Sequence, residues 1–420
     1  MAKMATYNLI ELPDELWLII FAYLCTEDIF QNVILVCKRF HTLCTDSTSI
    51  LIKKISLTRR SSSNFDSTIQ DNEYQLLKSS KHLNSLILSN RADVEYLSYL
   101  ALHHSPKLCH MEIKNCDLSN DCRATIVVKG QALQHISLIK CKNDFSSDGD
   151  VLQNINTEKS VNQSTKAAPI IPKGIFRIAA FHEFDLGQFL ISLAYHCISL
   201  TSLHLESLAS EESIITFLNT KKKHLKSLNF SEYIQGYQWF HHLQYCEQLE
   251  ELTIVYGENI DQYGIEAISK LHQLKSLTLN SVHNVLWQDF IPLVSNLYNL
   301  IHLDLSCCNI NDDVLKAVSM NCLKLKVLCI NWCENICDRC RLDFILKHSK
   351  TMEKLSLRGL NKIENHSIRK IIEYLPHLDH LDLFRGPETN DSFLNSLLLT
   401  NAKLKIIDNY GREVTKTESN

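Results

Sequence analysis

The tightest constraint on this chain is a spacing that repeats. Residues 300–310, Leu300-Ile301-His302-Leu303-Asp304-Leu305-Ser306-Cys307-Cys308-Asn309-Ile310, put apolar side chains at positions 1, 4, 6 and 11 and a cysteine at position 9. The same frame returns at Leu325/Leu328/Ile330/Cys333, at Leu133/Ile136/Leu138/Cys141 and at Leu108/Met111/Ile113/Cys116. It starts at residues 83, 108, 133, 175, 200, 225, 249, 274, 300, 325, 352, 378 and 404, after a degenerate first copy at Ile52/Ile55/Leu57. Almost every step is 24–27 residues; the step from 133 to 175 is 42. A unit of that length holds one short strand, a turn, a helix and a return. Alternation predicts that positions 4 and 6 point inward from the strand while position 5 points out. Beyond position 9 the chain turns amphipathic, as in Asp312-Asp313-Val314-Leu315-Lys316-Ala317-Val318, with acids at the helix start. Pro106 and Pro376 stand shortly before the next strand, where a helix should already have ended.

This frame resembles the leucine-rich repeat of the cysteine-bearing kind. No single unit buries its apolar face alone, so the units are expected to stack into an α/β solenoid, with a parallel sheet inside and helices outside. Fourteen strands at about 4.8 Å each would give an inner arc on the order of 60 Å, a long groove. Positions 3, 5, 7 and 8 of each unit should face it.

Composition narrows the class. An apolar content of 45% is ample for a core, and a net charge of −4 gives no bias toward nucleic acid or an anionic membrane. Sixteen cysteines are many, but several fall at one fixed place in the repeat, which is packing rather than a disulfide framework. The first apolar run, Leu16 to Leu24, follows Asp14 and Glu15 rather than a basic segment, unlike a secretory leader. No run approaches the ~20 apolar residues of a membrane span. The expectation is an intracellular protein with reduced thiols, cytoplasmic and/or nuclear.

Residues 1–8 carry no pattern and are expected to be disordered. In Leu9-Ile10-Glu11-Leu12-Pro13-Asp14-Glu15-Leu16-Trp17 a proline and two acids stand where a helix would begin, and residues 16, 17, 20, 21 and 24 form one apolar stripe. Thr26 caps a predicted second helix from about Glu27 to Leu43, and a third, short one covers Thr48 to Lys53. Three short helices make a small core, and so apolar a stripe on it points to a partner surface. Leu12-Pro13-Asp14-Glu15-Leu16, Ile20-Phe21, Leu24, Asp28-Ile29 and Val36-Cys37-Lys38-Arg39-Phe40 are similar to an F-box, a resemblance covering residues 9–52. Phe40 and Ile50 stand where that family usually has tryptophan. The resemblance implies docking on the Skp adaptor of cullin-based ubiquitin ligases, and through it on cullin and a RING subunit. Carried over residue by residue, the adaptor face would be Leu12, Pro13, Leu16, Ile20, Phe21, Leu24, Val36, Cys37 and Phe40. The other reading of these helices is a cap on the repeat array of a non-ligase scaffold or inhibitor.

Residues 53–82 read as a linker with the degenerate first unit, and 83–410 as the repeat array. The excess in the long step, near 142–173, is rich in Asn, Asp, Ser and Thr and reads as a flexible insertion. The last unit, Leu404/Ile407, is expected to run into a disordered tail over 411–420.

No catalytic or cofactor constellation emerges. Cys322, Cys329, Cys333, Cys337 and Cys340 include a CxxC spacing, but Cys333 holds the repeat's own cysteine position, so packing outweighs metal. Neither GxGxxG nor GxxxxGK[ST] occurs. Lys221-Lys222-Lys223-His224 sits at a unit junction and reads as a solvated edge. What remains is the groove: its middle is neutral, and its C-terminal end carries larger groups. Tyr256, Trp332, Arg358, Phe384, Arg385 and Tyr410 are the candidate contacts for a protein substrate, since aromatic and arginine side chains dominate most interfaces. The combined layout implies a non-catalytic substrate receptor of an SCF-type ubiquitin ligase, with no metal and no cofactor.

Overall fold

The computed structural model describes residues 17, 39, 53–58, 73–78, 80–141, 186–206, 209–231, 236–336, 350–401 and 403–415. It divides into two units, Met1–Leu200 and Thr201–Asn420. In the first, strands β1 (Lys54–Thr58), β2 (Ser85–Ser89), β3 (His110–Lys114) and β4 (His135–Ile139) pair in chain order, all parallel. Helices α1 (Val94–His104) and α2 (Asn120–Lys129) connect strands, and α3 (Leu186–His196) packs against α2.

The second unit continues the pattern. Its strands are β5 (Ser202–Glu206), β6 (Ser227–Phe230), β7 (Glu251–Ile254), β8 (Ser276–Leu279), β9 (His302–Asp304), β10 (Val327–Cys329), β11 (Lys354–Ser356), β12 (His380–Asp382) and β13 (Lys405–Ile407). Each pairs in parallel with its successor. Between them lie α4 (Glu211–Lys221), α5 (Gln238–His242), α6 (Gln262–Ser269), α7 (Trp287–Asn296), α8 (Asp312–Asn321), α9 (Asn365–Tyr374) and α10 (Asp391–Thr400). This is the leucine-rich-repeat architecture expected from the frame: a parallel sheet alternating with helices.

The register shows why the frame matters. Position 4 of one unit lies beside position 4 of the next, as in Leu277↔Leu303, Leu303↔Leu328, Leu328↔Leu355 and Leu355↔Leu381. Among the described residues, positions 4 and 6 are buried in each unit from Leu86 and Leu88 to Leu381 and Leu383. Position 8 then turns the chain. Asn90, Asn115, Lys140, Ser281, Cys307, Trp332, Gly359 and Arg385 all occupy it, and all have φ between +49° and +72°. Only one of the eight is glycine, although the left-handed region costs other residues about 1–2 kcal/mol. The offset is a hydrogen bond: the position-8 N–H donates to the position-7 carbonyl of the next unit, as in Cys307 to Asn331 (2.7 Å) and Trp332 to Arg358 (2.8 Å).

The cysteine at position 9 follows from the same turn. The thiols of Cys308, Cys333 and Cys141 reach back to the position-6 carbonyls Leu279 (3.0 Å), Leu305 (3.2 Å) and Ile113 (3.3 Å) of the preceding units. A small, weakly donating, largely apolar side chain fits that place. Burial pushes the Cys333 thiol up to about 12 and that of Cys308 well above its ordinary value, so both stay protonated. The described cysteines form no disulfide. Side-chain caps begin five of the described helices: Ser119 for α2, Ser210 for α4, Asp261 for α6, Asn311 for α8 and Asn390 for α10.

Two expectations at the C-terminus are corrected. The frame places Leu404/Ile407 in the last unit, but β13 aligns Leu381 with Ile406, and Leu404, Ile406 and Asp408 are the buried residues while Ile407 is partly open. One residue fewer separates the first leucine from the strand, and a single-residue slip exchanges the faces. The tail expected to be disordered from 411 instead turns back through Gly411 (φ +86°) into β14 (Glu413–Val414), antiparallel to β13. Asp408 sets that turn, accepting from the N–H groups of Tyr410 (2.9 Å) and Arg412 (2.8 Å) and from Arg412 Nε (2.7 Å). Residues 175–185 of the unit framed at 175, the insertion near 142–173 and residues 416–420 lie outside the described residues, as do residues 1–8. Among the described residues no helix is long and apolar enough to cross a membrane.

Candidate binding face

Residues at positions 3, 5, 7 and 8 stand on the face of the sheet turned away from the buried positions 4 and 6. In the last units of the second body, a hydrogen-bonded polar row runs along this face from strand to strand. Asp304 Oδ1 accepts from the Ser306 N–H (2.9 Å) and hydroxyl (2.5 Å), and the Ser306 hydroxyl accepts from the Asn331 N–H (3.2 Å). Asn331 Oδ1 accepts from the Ser356 hydroxyl (2.7 Å) and the Arg358 N–H (2.9 Å). Arg358 donates Nε to Asp382 Oδ2 (2.6 Å), and Asp382 Oδ1 accepts from the Phe384 N–H (3.1 Å). Asp382 is buried at 3% exposure, so this carboxylate fixes two neighbours rather than facing solvent.

On that row lies a stripe of large side chains. The exposed Trp332 indole covers Gly359, where a Cβ would overlap its ring. The Arg358 guanidinium lies 5.8 Å from the centre of the Phe384 ring and that of Arg385 lies 5.2 Å from it. Phe384 in turn sits over Gly411, and Arg412 lies 5.6 Å from the Tyr410 ring. Glycine at 359 and 411 thus leaves room for an aromatic ring from the preceding unit. Of the aromatic rings in the set Tyr410 is the most exposed, at 74%.

Of the six residues singled out from sequence, Trp332, Arg358, Phe384, Arg385 and Tyr410 come together along four adjacent strands. Tyr256 does not join them. It is exposed at position 8 of its own unit, three strands before that of Trp332, or about 14 Å at ordinary strand spacing. Sequence reasoning missed Asp408 and Arg412, which shape the end of the stripe, and the anchoring role of Asp382. A signal existed for the last: His-Leu-Asp-Leu occurs twice, at 302–305 and 380–383, and each aspartate accepts the N–H two residues on.

The expected adaptor residues Leu12, Pro13, Leu16, Ile20, Phe21, Leu24, Val36, Cys37 and Phe40 lie outside the described residues; in that segment Trp17 and Arg39 are described, and both are helical. Cys337 and Cys340 are likewise outside them. Among the described residues no three His, Cys, Asp or Glu side chains converge as metal ligands.

Comparison with known proteins bears on both parts. Residues 9–57 match the family model described as F-box-like. The chain therefore carries an F-box-like segment followed by leucine-rich-repeat units. A chain of the yeast Rad7 and Elc1 complex matches with a TM-score of 0.61 at 16% identity, covering 95% of this chain and 93% of that one. That likeness is one of fold. An internalin from Listeria monocytogenes matches at a TM-score of 0.43 and 14% identity over 90% of this chain and 96% of the other. TLR13, from its complex with ssRNA13, matches at 0.44 and 14% over 85% and 46%.

Proposed function

We propose that this chain is a substrate-recognition subunit of an SCF-type ubiquitin ligase. The observation that carries the reading is the joining of an F-box-like segment, residues 9–57, to stacked repeats in one polypeptide. In this reading Leu12, Pro13, Leu16, Ile20, Phe21, Leu24, Val36, Cys37 and Phe40 hold a Skp-type adaptor, which links the chain to cullin and a RING subunit. The stripe of Trp332, Arg358, Phe384, Arg385 and Tyr410 holds a target protein, with Tyr256 as an outlying contact. The chain itself performs no covalent step. Holding the target beside a charged conjugating enzyme raises the effective concentration of its lysines, and transfer follows from proximity. Ubiquitination would then send the target to the proteasome.

The test uses the full-length chain. Leu12→Ala combined with Pro13→Ala is expected to abolish co-purification of the Skp adaptor while circular dichroism and the thermal transition of the repeats stay unchanged. Adaptor retained by the double variant would remove the ligase reading and leave a repeat scaffold whose N-terminal helices act as a cap.

A further inference from the structure

The stripe has a charge asymmetry that bears on what it would take. Arg358 is neutralised by Asp382, at 2.6 Å from both Nε and an Nη nitrogen. Arg412 is taken by Asp408 (2.7 Å) and Asp391 (3.1 Å). Arg385 is different. It is exposed, its guanidinium lies over the Phe384 ring, and among the described residues it forms no ion pair. A guanidinium lying over a ring without an ion-pair partner keeps its forked donors available, which suits a planar oxyanion met two-pronged. Arg358 and Arg412 are already taken up by the buried Asp382 and Asp408, so one guanidinium is left here to offset added negative charge. That favours a single carboxylate over a phosphate dianion, which would need more than one unpaired cation.

Exposed aromatic rings flank this cation. Trp332 is two strands before it and Tyr410 one strand after, or about 10 Å and about 5 Å along the stripe. An extended peptide rises about 3.3 Å per residue. An apolar side chain about three residues from the acid would reach Trp332, and one about two residues away on the other side would reach Tyr410.

We propose that Arg385 is the anchor of a site for an acidic linear peptide, patterned apolar-x-x-acidic-x-apolar and lying along Trp332, Phe384 and Tyr410. The proposal rests on the receptor reading, since it names the class of segment that the stripe would recognise in a target. One carboxylate pairs with Arg385, and the two apolar groups cover rings that are otherwise open to water.

The experiment uses the full-length chain bound to its adaptor and fluorescein-labelled peptides Gly-Φ-Gly-Ser-Asp-Ser-Φ-Gly, where Φ is an equal mixture of Phe and Leu. Matched pools carry Asn or phosphoserine in place of Asp, and fluorescence anisotropy reads binding at low and high salt. The Asp pool is expected to bind about tenfold tighter than the Asn pool at low salt, with the difference shrinking at high salt. The phosphoserine pool is expected to bind no tighter than the Asp pool. Arg385→Glu should erase the preference for Asp, whereas Arg369→Glu, on α9, should leave it intact. Equal binding of the Asp and Asn pools overturns the proposal. So does a tighter phosphoserine pool, a preference that survives Arg385→Glu, or no binding by any pool up to about 1 mM, the weak limit of specific recognition. Adaptor co-purification, read on the same samples, separates the two ideas. Adaptor kept with no Asp preference defeats this proposal alone, and adaptor lost from the wild-type chain defeats the receptor reading.

Discussion

Arg358 reaches across one unit to Asp382 and gives two of its donors to the same carboxylate oxygen, each at 2.6 Å. The pair is unequal: Asp382 has a side chain 4% exposed and Arg358 one 47% exposed. The carboxylate is therefore the costly partner to strand, and the arginine keeps most of its hydration when unpaired. Arg358→Ala is expected to destabilise the chain by about 1–2 kcal/mol, because Asp382 keeps only the Phe384 N–H and the exposed half of the pair is screened. In a double-mutant cycle with Asp382→Ala, the double variant should lose less than the sum of the single losses. Urea unfolding followed by circular dichroism reads this, and strict additivity would mean that the two side chains act independently.

Trp332 and Gly359 make a second test. Seven other units accept non-glycine residues at the left-handed turn, so backbone strain does not demand glycine at 359; the indole lying over it does. Gly359→Ala should push the ring off and red-shift the tryptophan emission, at a cost of about 1–3 kcal/mol. Trp332→Ala should recover part of that loss when combined with Gly359→Ala. No recovery would place the strain in the backbone after all.

The buried cysteines predict an alkaline weakness. Burial holds the Cys333 and Cys322 thiols at about 12 in the folded chain, against an ordinary value of 9 when exposed. Between these values the unfolded chain has released protons that the folded chain keeps, so stability falls as pH rises above 9 and is unaffected below it. Each such thiol contributes a slope of about 1.4 kcal/mol per pH unit. Cys333→Ala should lower stability at pH 8 yet flatten the decline from pH 9 upward by about that slope, measured as denaturant midpoints. An identical slope in the variant would show that the thiol titrates normally.

Asp408 stands where the preceding units carry their position-6 leucine and holds the turn into β14. Its carboxyl is held below its usual range: burial pushes it up, but hydrogen bonds from the Arg412 backbone and side chain and from the Tyr410 N–H pull it further down. Asp408→Ala should cost about 1–3 kcal/mol and raise hydrogen exchange in Leu404–Val414 while leaving β8 and β9 protected. The stability lent by this group is present above its unfolded value and is lost as pH falls through the lowered one. Unchanged protection of β13 would show that the turn holds without its carboxylate.

The repeat frame alone determined the strand positions, the buried faces and the meaning of the cysteines. Positions 4 and 6 alternate with position 5 under a period of two, and a step of about 25 residues leaves one plan for each unit. That information is local, so it is written in the chain. The last unit escaped it because Leu404 and Ile406 are spaced one residue short, and only pairing with β12 reveals the slip. The same holds for the face that would meet a partner. Sequence picked out six large side chains, but their grouping depends on contacts between residues about 25 apart, such as Trp332 over Gly359 and Arg358 against Phe384. Each contact needs the register of two strands and the direction of two side chains at once, and no single unit contains both.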